Sequence, residues 1–452
     1  MKSVFVRCRL AGVLAASAFL ARSAAAQEQK AQPIQYTITD LGLANGSTPG
    51  QPFAIKNNGL ISGAAAVSNA WHGTLSFLGV QIDLAKAGGL GGPNSAAFAV
   101  NESGQAVGEA ETAALDANKE DFCGYGSQHV CQAFVWQNGV MSALPAWKDA
   151  NGAAGRNAIA KGINRLGQVA GVAENTTADT TCPPYNSDPT LLQFQKYQFK
   201  PVIWTNGQVQ QLPTSGGAFF ENGFSDPDGV AFEINDKGQA VGATGTCTGY
   251  TPFLTYLNGL HATLWQNGSV TDLGNLGGIA PGFGNFAYDI NRSGHVVGTS
   301  GTSDGSFHAF FWSPETLIRD LGTVEGDVAS VGIAINDIGD IGGVSMPADP
   351  TASPRAFLRP DGGTMVDLNS FIPADSELYL FSVCSINSRG EIIGLALDTQ
   401  GNFHGYLATP SNGAAGFSAE LSRESRSARF EYAWSLVRDR PGPFGTGLLR
   451  RR

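Results

Sequence analysis

The sequence predicts an all-β fold, a seven-bladed β-propeller of four-stranded antiparallel blades closed by the N-terminal strand. Three observations lead there. A multi-part motif recurs seven times between Phe53 and Leu407. Its turn glycines, Gly59, Gly104, Gly167, Gly238, Gly294, Gly339 and Gly390, space the units 45 to 71 residues apart. The last unit lacks a fourth strand, and an unpaired strand of that type stands before the first unit. Units of this length fit propeller blades rather than the shorter coils of a β-helix.

The fifth unit shows why each element forms. Ala287, Asp289-Ile290-Asn291, Gly294, His295-Val296-Val297-Gly298, His308-Ala309-Phe310-Phe311-Trp312 and Arg319-Asp320-Leu321-Gly322 follow in order. These are short β-rich runs broken by turn residues. Asn291 can bond its own backbone two residues on, and Gly294 supplies a positive φ, so the first turn is a tight hairpin with a bulge. The Asn recurs as Asn101, Asn164, Asn235, Asn336 and Asn387, with Lys56 the one departure. Asn138-Gly139, Asn206-Gly207 and Asn267-Gly268 mark the turn between third and fourth strands, the strongest short-range hairpin signal. Such sheets bury both faces by stacking radially around an axis.

The ends of the repeat predict its closure. The last unit stops after His404-Gly405-Tyr406-Leu407 without a fourth strand, while Tyr36-Thr37-Ile38-Thr39-Asp40-Leu41 stands alone before the first. Donating that strand to the last blade removes an exposed edge. A polar pair points the same way. His72, His261 and His308, with Arg355 in their place in the sixth unit, are followed 11 or 12 residues later by Asp83, Asp272, Asp320 and Asp367. The units with Gln132 and Lys200 there have Ala143 and Gln211 instead, so the two positions change together, as a bonded pair does. His404 then takes Asp40 as its partner. A pair repeated in most blades reads as scaffold rather than as a catalytic dyad.

Residues 1–26 combine a basic start (Lys2, Arg7, Arg9), an apolar run from Leu10 to Ala21 and Ala24-Ala25-Ala26, the pattern of a cleavable secretory signal. Residues 27–410 form the propeller and residues 411–452 an Arg-rich tail, expected to be disordered. The expected location is secreted, either extracellular or periplasmic. No later stretch approaches the roughly 20 apolar residues of a membrane-spanning helix. Residues 27–410 carry 16 Lys and Arg against 34 Asp and Glu, net −18, a surface that repels nucleic acid and anionic membrane. The tail has eight Arg and four acids.

Five cysteines remain once Cys8 leaves with the signal. Cys384, in a β-rich run, reads as a small buried free thiol. Cys123 with Cys131 is the local disulfide, and Cys182 with Cys247 would bridge adjacent blades. The spacings fit no standard zinc site, and neither metal nor cofactor is expected.

Insertions interrupt units two, three and four between second and third strands: Glu111 to Val130, Asn175 to Gln198, and Gly245 to Gly259. They open on the face that also carries the long links between blades, opposite the tight turns, and insertions on one face are where repeat proteins add function. Tyr125, Tyr185, Tyr197, Tyr250 and Tyr256 lie in them, and amphipathic rings suit sugar faces or a protein partner's side chains. The expectation is a monomeric binding module for a glycan or an extracellular protein. One alternative is a polysaccharide hydrolase or lyase using loop carboxylates (Asp121, Asp179, Asp188, Asp226, Asp228) as acid and base; another is a structural cell-envelope component. No Gly-x-Ser-x-Gly, His-Glu-x-x-His or phosphate-loop motif is present, and no catalytic residue is assigned.

The combination of Asp-Leu-Gly, Ala-x-x-Ile-Asn-x-x-Gly-x-Val-Val-Gly and His-Ala-Phe-x-Trp resembles the HAF-repeat family of extracellular repeat proteins. The clearest copy runs from Asp272-Leu273-Gly274 and Leu276-Gly277-Gly278 through Ile290-Asn291 to His308-Ala309-Phe310, and the likeness covers about Ile38 to Ala408. It implies bacterial export and a β-rich repeat fold, and it brings no activity with it. Units two and three depart from it by losing the His and the Asp.

Overall fold

The computed structural model describes residues 35–43, 50–182, 196–215, 226–247, 257–278, 284–349 and 351–411. The expected signal, residues 1–26, and the tail after Ser411 lie outside them. Seven antiparallel sheets follow one another along the chain and form a seven-bladed propeller. Blade one consists of Gln51–Ile55, Ile61–Val67, Ala70–Phe77 and Val80–Asp83, from the axis outward. The inner strands of blades two to seven are Gly91–Val100, Ala158–Ile163, Asp228–Ile234, Phe286–Ile290, Asp327–Ile335 and Tyr379–Ile386. Two blades depart from plain four-strand geometry. Gly277–Gly278 adds a short fifth strand to blade five, and the outer strand of blade six shrinks to Val366–Asp367, followed by a single 3-10 turn, Leu368–Phe371.

The turns form as their residues require. The seven unit glycines adopt φ of +73° to +97°, and each Asn-Gly pair has both residues at positive φ (Asn267 +51°, Gly268 +79°), the type I′ geometry that follows strand twist. The glycine closing the second strand has a different reason. A Cβ on Gly242 or Gly298 would overlap the inner-strand carbonyl oxygens of Val230 and Phe286, because the inner strand bulges toward it at that level.

The apolar core lies between blades. Leu75 and Phe77 of blade one pack with Val100, Phe134 and Trp136 of blade two, and the same arrangement recurs round the ring to Ile393 of blade seven against Ile55 and Ile61 of blade one. The third-strand Trp204 and Trp265 are almost fully buried and donate their indole N–H to Pro145 and Pro213 carbonyls at 2.8 and 2.7 Å, which satisfies the polar handle of an otherwise apolar ring.

Closure occurs as the sequence predicts. Tyr36–Leu43 pairs antiparallel with Phe403–Pro410, from Tyr36 opposite Pro410 to Leu43 opposite His404. Tyr36 is buried in the cluster holding Tyr406 and Leu380, and His404 Nδ1 lies 3.0 Å from Asp40. The other pairs also form: His72 with Asp83 at 2.9 Å, His261 with Asp272 at 2.7 Å, His308 with Asp320 at 2.9 Å. Both disulfides, Cys123–Cys131 and Cys182–Cys247, are present and Cys384 is free. Two disulfides mark a chain that folds in an oxidising compartment.

Candidate functional site

The channel on the propeller axis is built by one bulge repeated seven times. In each inner strand the pairing register slips one residue at the position three before the turn Asn. An extra residue in one strand re-aims its side chain. The residues at that position, Phe53, Phe98, Lys161, Phe232, Tyr288, Ile333 and Cys384, line a cavity of about 320 Å³ that continues to the tight turns of all seven blades. On the loop side the channel is filled. Two residues back along three of the same strands, Ile159, Val230 and Phe286 belong to one buried cluster with Phe122, Phe199, Leu257, Cys131 and Cys247 of the insertions and their edges. The cavity therefore opens on the tight-turn face.

A belt of amides holds the mouth. Asn101 Nδ2 donates to the Asn164 carbonyl of the next blade at 3.2 Å, and Asn164, Asn235, Asn291 and Asn336 repeat this to Asn235, Asn291, Asn336 and Asn387 at 2.9 to 3.2 Å. Asn387 ends the series on the Lys56 carbonyl at 3.1 Å. Each Asn Oδ1 meanwhile accepts from the backbone of its own turn, as Asn235 does from Lys237 and Gln239. The Asn that marks the hairpin thus also ties blade to blade, and Lys56, with no amide to give, leaves one gap. Outside the belt Arg165, Asp236, Arg292 and Asp337 alternate in charge across four blades, at 2.7 to 3.3 Å.

Lys56 instead acts across the channel. Burial pushes the carboxyls of Glu233, to about 7, and Asp289 up, and the charge of Lys56 opposes the shift in both. Asp289 is anchored by backbone N–H groups on both oxygens, from Ile290 at 2.7 Å and Ile335 at 2.8 Å. Glu233 accepts from its neighbour Ile234 at 3.1 Å. It sits where a side chain on Gly162 of the preceding blade would collide with it. Lys161 Nζ lies 4.0 Å from the Phe98 ring centroid. Burial lowers its pKa, and the charge of Glu109 opposes that. Among the described residues neither Lys56 nor Lys161 has a side-chain hydrogen bond or a carboxylate within 4.0 Å. Rings complete the wall: Phe53 and Phe98 centroids are 5.1 Å apart, Phe232 and Tyr288 5.4 Å.

The loop-face residues fall into two groups. Tyr185, Tyr250 and Tyr256, with Asp188, lie outside the described residues. Tyr125 is turned inward, bonded to Glu109, and Tyr197 is half-buried beside Lys196. The carboxyls are engaged in the scaffold. Asp121 accepts from Gly126 N at 2.7 Å and Asp226 from Thr244 Oγ1 at 2.6 Å. Asp228 accepts from Phe199 N at 3.0 Å and bonds the Asp179 carboxyl; burial and that partner raise it to about 9. Glu120 and Glu174, a pair the sequence reading missed, bond each other, and burial raises both.

No family model and no curated protein matches this sequence. Among solved structures, the chain is similar to the uncomplexed acylaminoacyl peptidase of Pyrococcus horikoshii (12% identity, 79% of this chain and 50% of that one, TM-score 0.43). It is also similar to an oligogalacturonate lyase of Vibrio parahaemolyticus (9%, 85% and 96%, TM-score 0.41) and to a puromycin hydrolase (12%, 83% and 55%, TM-score 0.45). This chain spans about half the length of the peptidase and of the puromycin hydrolase.

Proposed function

We propose that this chain is an exported binding module of HAF-repeat type that holds a small ligand in its central channel, at the tight-turn mouth. The observation that carries this reading is the pair of half-buried lysines in the cavity wall, whose ammonium donors have no hydrogen-bond partner among the described residues and stand open to a ligand with acceptors. The volume of about 320 Å³ lies at the small end of ligand pockets. The loop-face reading, a glycan or protein seated on the insertions, draws support from their placement in consecutive blades. It draws little from Tyr125, which faces inward. A hydrolase or lyase would need two carboxyls across an open cleft, and the described loop carboxyls are instead bonded to backbone, to hydroxyls or to each other.

Filling the cavity tests the proposal. Ala54 lines it, and Ala54→Trp would occupy it from blade one. A thermal-shift panel of small polar compounds should find a stabilising class for the native protein and none for the variant, with unchanged circular dichroism. Equal response of both proteins to every stabilising compound would place the ligand elsewhere.

A further inference from the structure

The chemistry of that ligand can be read from which hydrogen-bonding groups of the channel are already satisfied; the inference rests on the channel reading above. The acceptors are largely taken. Both oxygens of Asp289 and one of Glu233 take backbone N–H groups, and Asp236 and Asp337 take the two arginines of the mouth. The belt carbonyls from Asn164 to Lys56 each receive an amide. The donors are not: Lys161 and Lys56 bring three N–H groups each, and neither has an acceptor among the described residues. The charge of Lys56 acts on Glu233 and Asp289, and that of Lys161, which is stacked on Phe98, acts on Glu109, whose carboxyl burial lifts to about 7, so each lysine keeps its hydrogen-bond donors open to a ligand.

A ligand that completes this wall supplies acceptors and negative charge at one end and an apolar face at the other. Ammonium groups beside aromatic rings discriminate against organic cations, which would face Lys161 across the ring it already covers. A neutral molecule could offer the ammonium groups only uncharged acceptors, and hydrogen bonds between charged partners are the stronger ones. We infer that the channel binds a small carboxylate carried on a ring, with the carboxylate met by Lys161 and Lys56 and the ring face laid on Phe98 and Phe232. A sugar acid and an aromatic acid share this chemistry, and both are within reach of a cavity this size.

Calorimetric titration of the mature chain with sodium glucuronate, sodium benzoate, methyl glucoside and choline tests it. One or both acids should bind, and the better of the two names the ring. The neutral sugar and the cation should bind at least about tenfold more weakly, a difference of about 1.4 kcal/mol. Lys161→Met should lower acid affinity about tenfold or more, and Phe98→Leu should lower it with the charge intact. Should Lys161→Met fail to fold, Lys56→Gln carries the same readout. Methyl glucoside or choline bound as tightly as the acids, with binding lost in Ala54→Trp, would overturn the inference while leaving the channel reading in place. No heat from any of the four at millimolar concentration overturns it as well, and if the thermal-shift panel is also flat, the channel reading falls with it.

Discussion

The two faces of this propeller use their departures from the repeat in opposite ways. On the loop face three blades carry long insertions, yet the described parts of these insertions fold inward: two disulfides, Phe122, Phe199 and Leu257 join one buried cluster at the axis. On the tight-turn face every blade has nearly the same short turn, and single substitutions in the repeat, Lys56 for Asn and Lys161 for an apolar residue, change the chemistry of the cavity. Length of insertion is a poor guide to openness. An added segment with enough apolar surface is drawn to the nearest apolar surface already present, which here is the channel lining, whereas one charged side chain at a bulge cannot be buried without a partner.

The largest effect expected concerns the seam. Deleting residues 36–43 removes Tyr36 from the core and exposes the edge of Phe403–Pro410, and should lower unfolding free energy by several kcal/mol in denaturant titrations. An unchanged midpoint would mean that the ring holds without its seam. The two disulfides rank next and differ from each other. Closing 65 residues, Cys182–Cys247 should contribute about 4 kcal/mol on the chain-entropy model, against about 2.5 kcal/mol for the 8-residue Cys123–Cys131. Paired Cys→Ser variants compared by denaturation check the order, and a larger loss for the short loop would show that it braces Tyr125 and Glu109 more than it limits the unfolded chain.

Stability should also fall as pH rises, and the sign follows from the buried carboxyls. Burial lifts Asp228 to about 9 and Glu109 to about 7, while the same groups unfolded titrate near 4. Between those values the folded chain holds protons that the unfolded chain has released, so unfolding is increasingly favoured from about pH 4 to about pH 9. His261, raised by its bond to Asp272, acts with the same sign. Melting midpoints should be higher near pH 5 than near pH 9, and Asp228→Asn should flatten the upper part of the curve. A midpoint that climbs with pH would show that these carboxyls are ionised in the fold.

The belt offers a finer contrast between scaffold and site. Asn235→Ala removes bonds to the Asn291 carbonyl and from Lys237 and Gln239 N–H groups, and should cost about 2 kcal/mol. Lys56→Asn completes the belt toward Asn101 but strips Glu233 and Asp289 of their cation, so its stability should change by less than about 1 kcal/mol while acid binding in the channel weakens. If Lys56→Asn left binding intact, Lys161 alone would define the site.

What the sequence made legible was whatever recurs. Blade number, the positive-φ glycines, the strand closing the ring and the pairing of His404 with Asp40 all follow from comparing copies, because each copy solves the same local problem with the same residues. The two disulfides came from setting Cys384 aside and pairing Cys123 with its near neighbour Cys131, which leaves Cys182 for Cys247. The channel was not read, for a physical reason. It receives one side chain per blade, from positions 45 to 71 residues apart, so no local periodicity marks it, and the bulge that aims each side chain inward breaks the alternation by which strand faces are recognised. A signal was nonetheless present. Aligned at the turn Asn, the column three residues earlier reads Phe, Phe, Lys, Phe, Tyr, Ile, Cys, and the Lys stands out there as Lys56 does in the belt column.

The smallest effect should come from the feature most visible in the sequence. In the His308–Asp320 pair both side chains keep partial exposure, 22% and 45%, and exposed ion pairs contribute little because water and salt screen them. His308→Ala leaves Asp320 its bond from Gly322 N at 2.7 Å, so the outer-strand turn keeps its own support. A loss below about 1 kcal/mol is expected, shrinking further in high salt. His404 is the internal control. It contacts Asp398 at 3.4 Å as well as Asp40, and its partner sits on the strand that closes the ring rather than on a hairpin neighbour. His404→Ala should therefore exceed His308→Ala in denaturant titrations run side by side. Equal losses would mean that the pair sets strand register alike in every blade and has no special part at the seam.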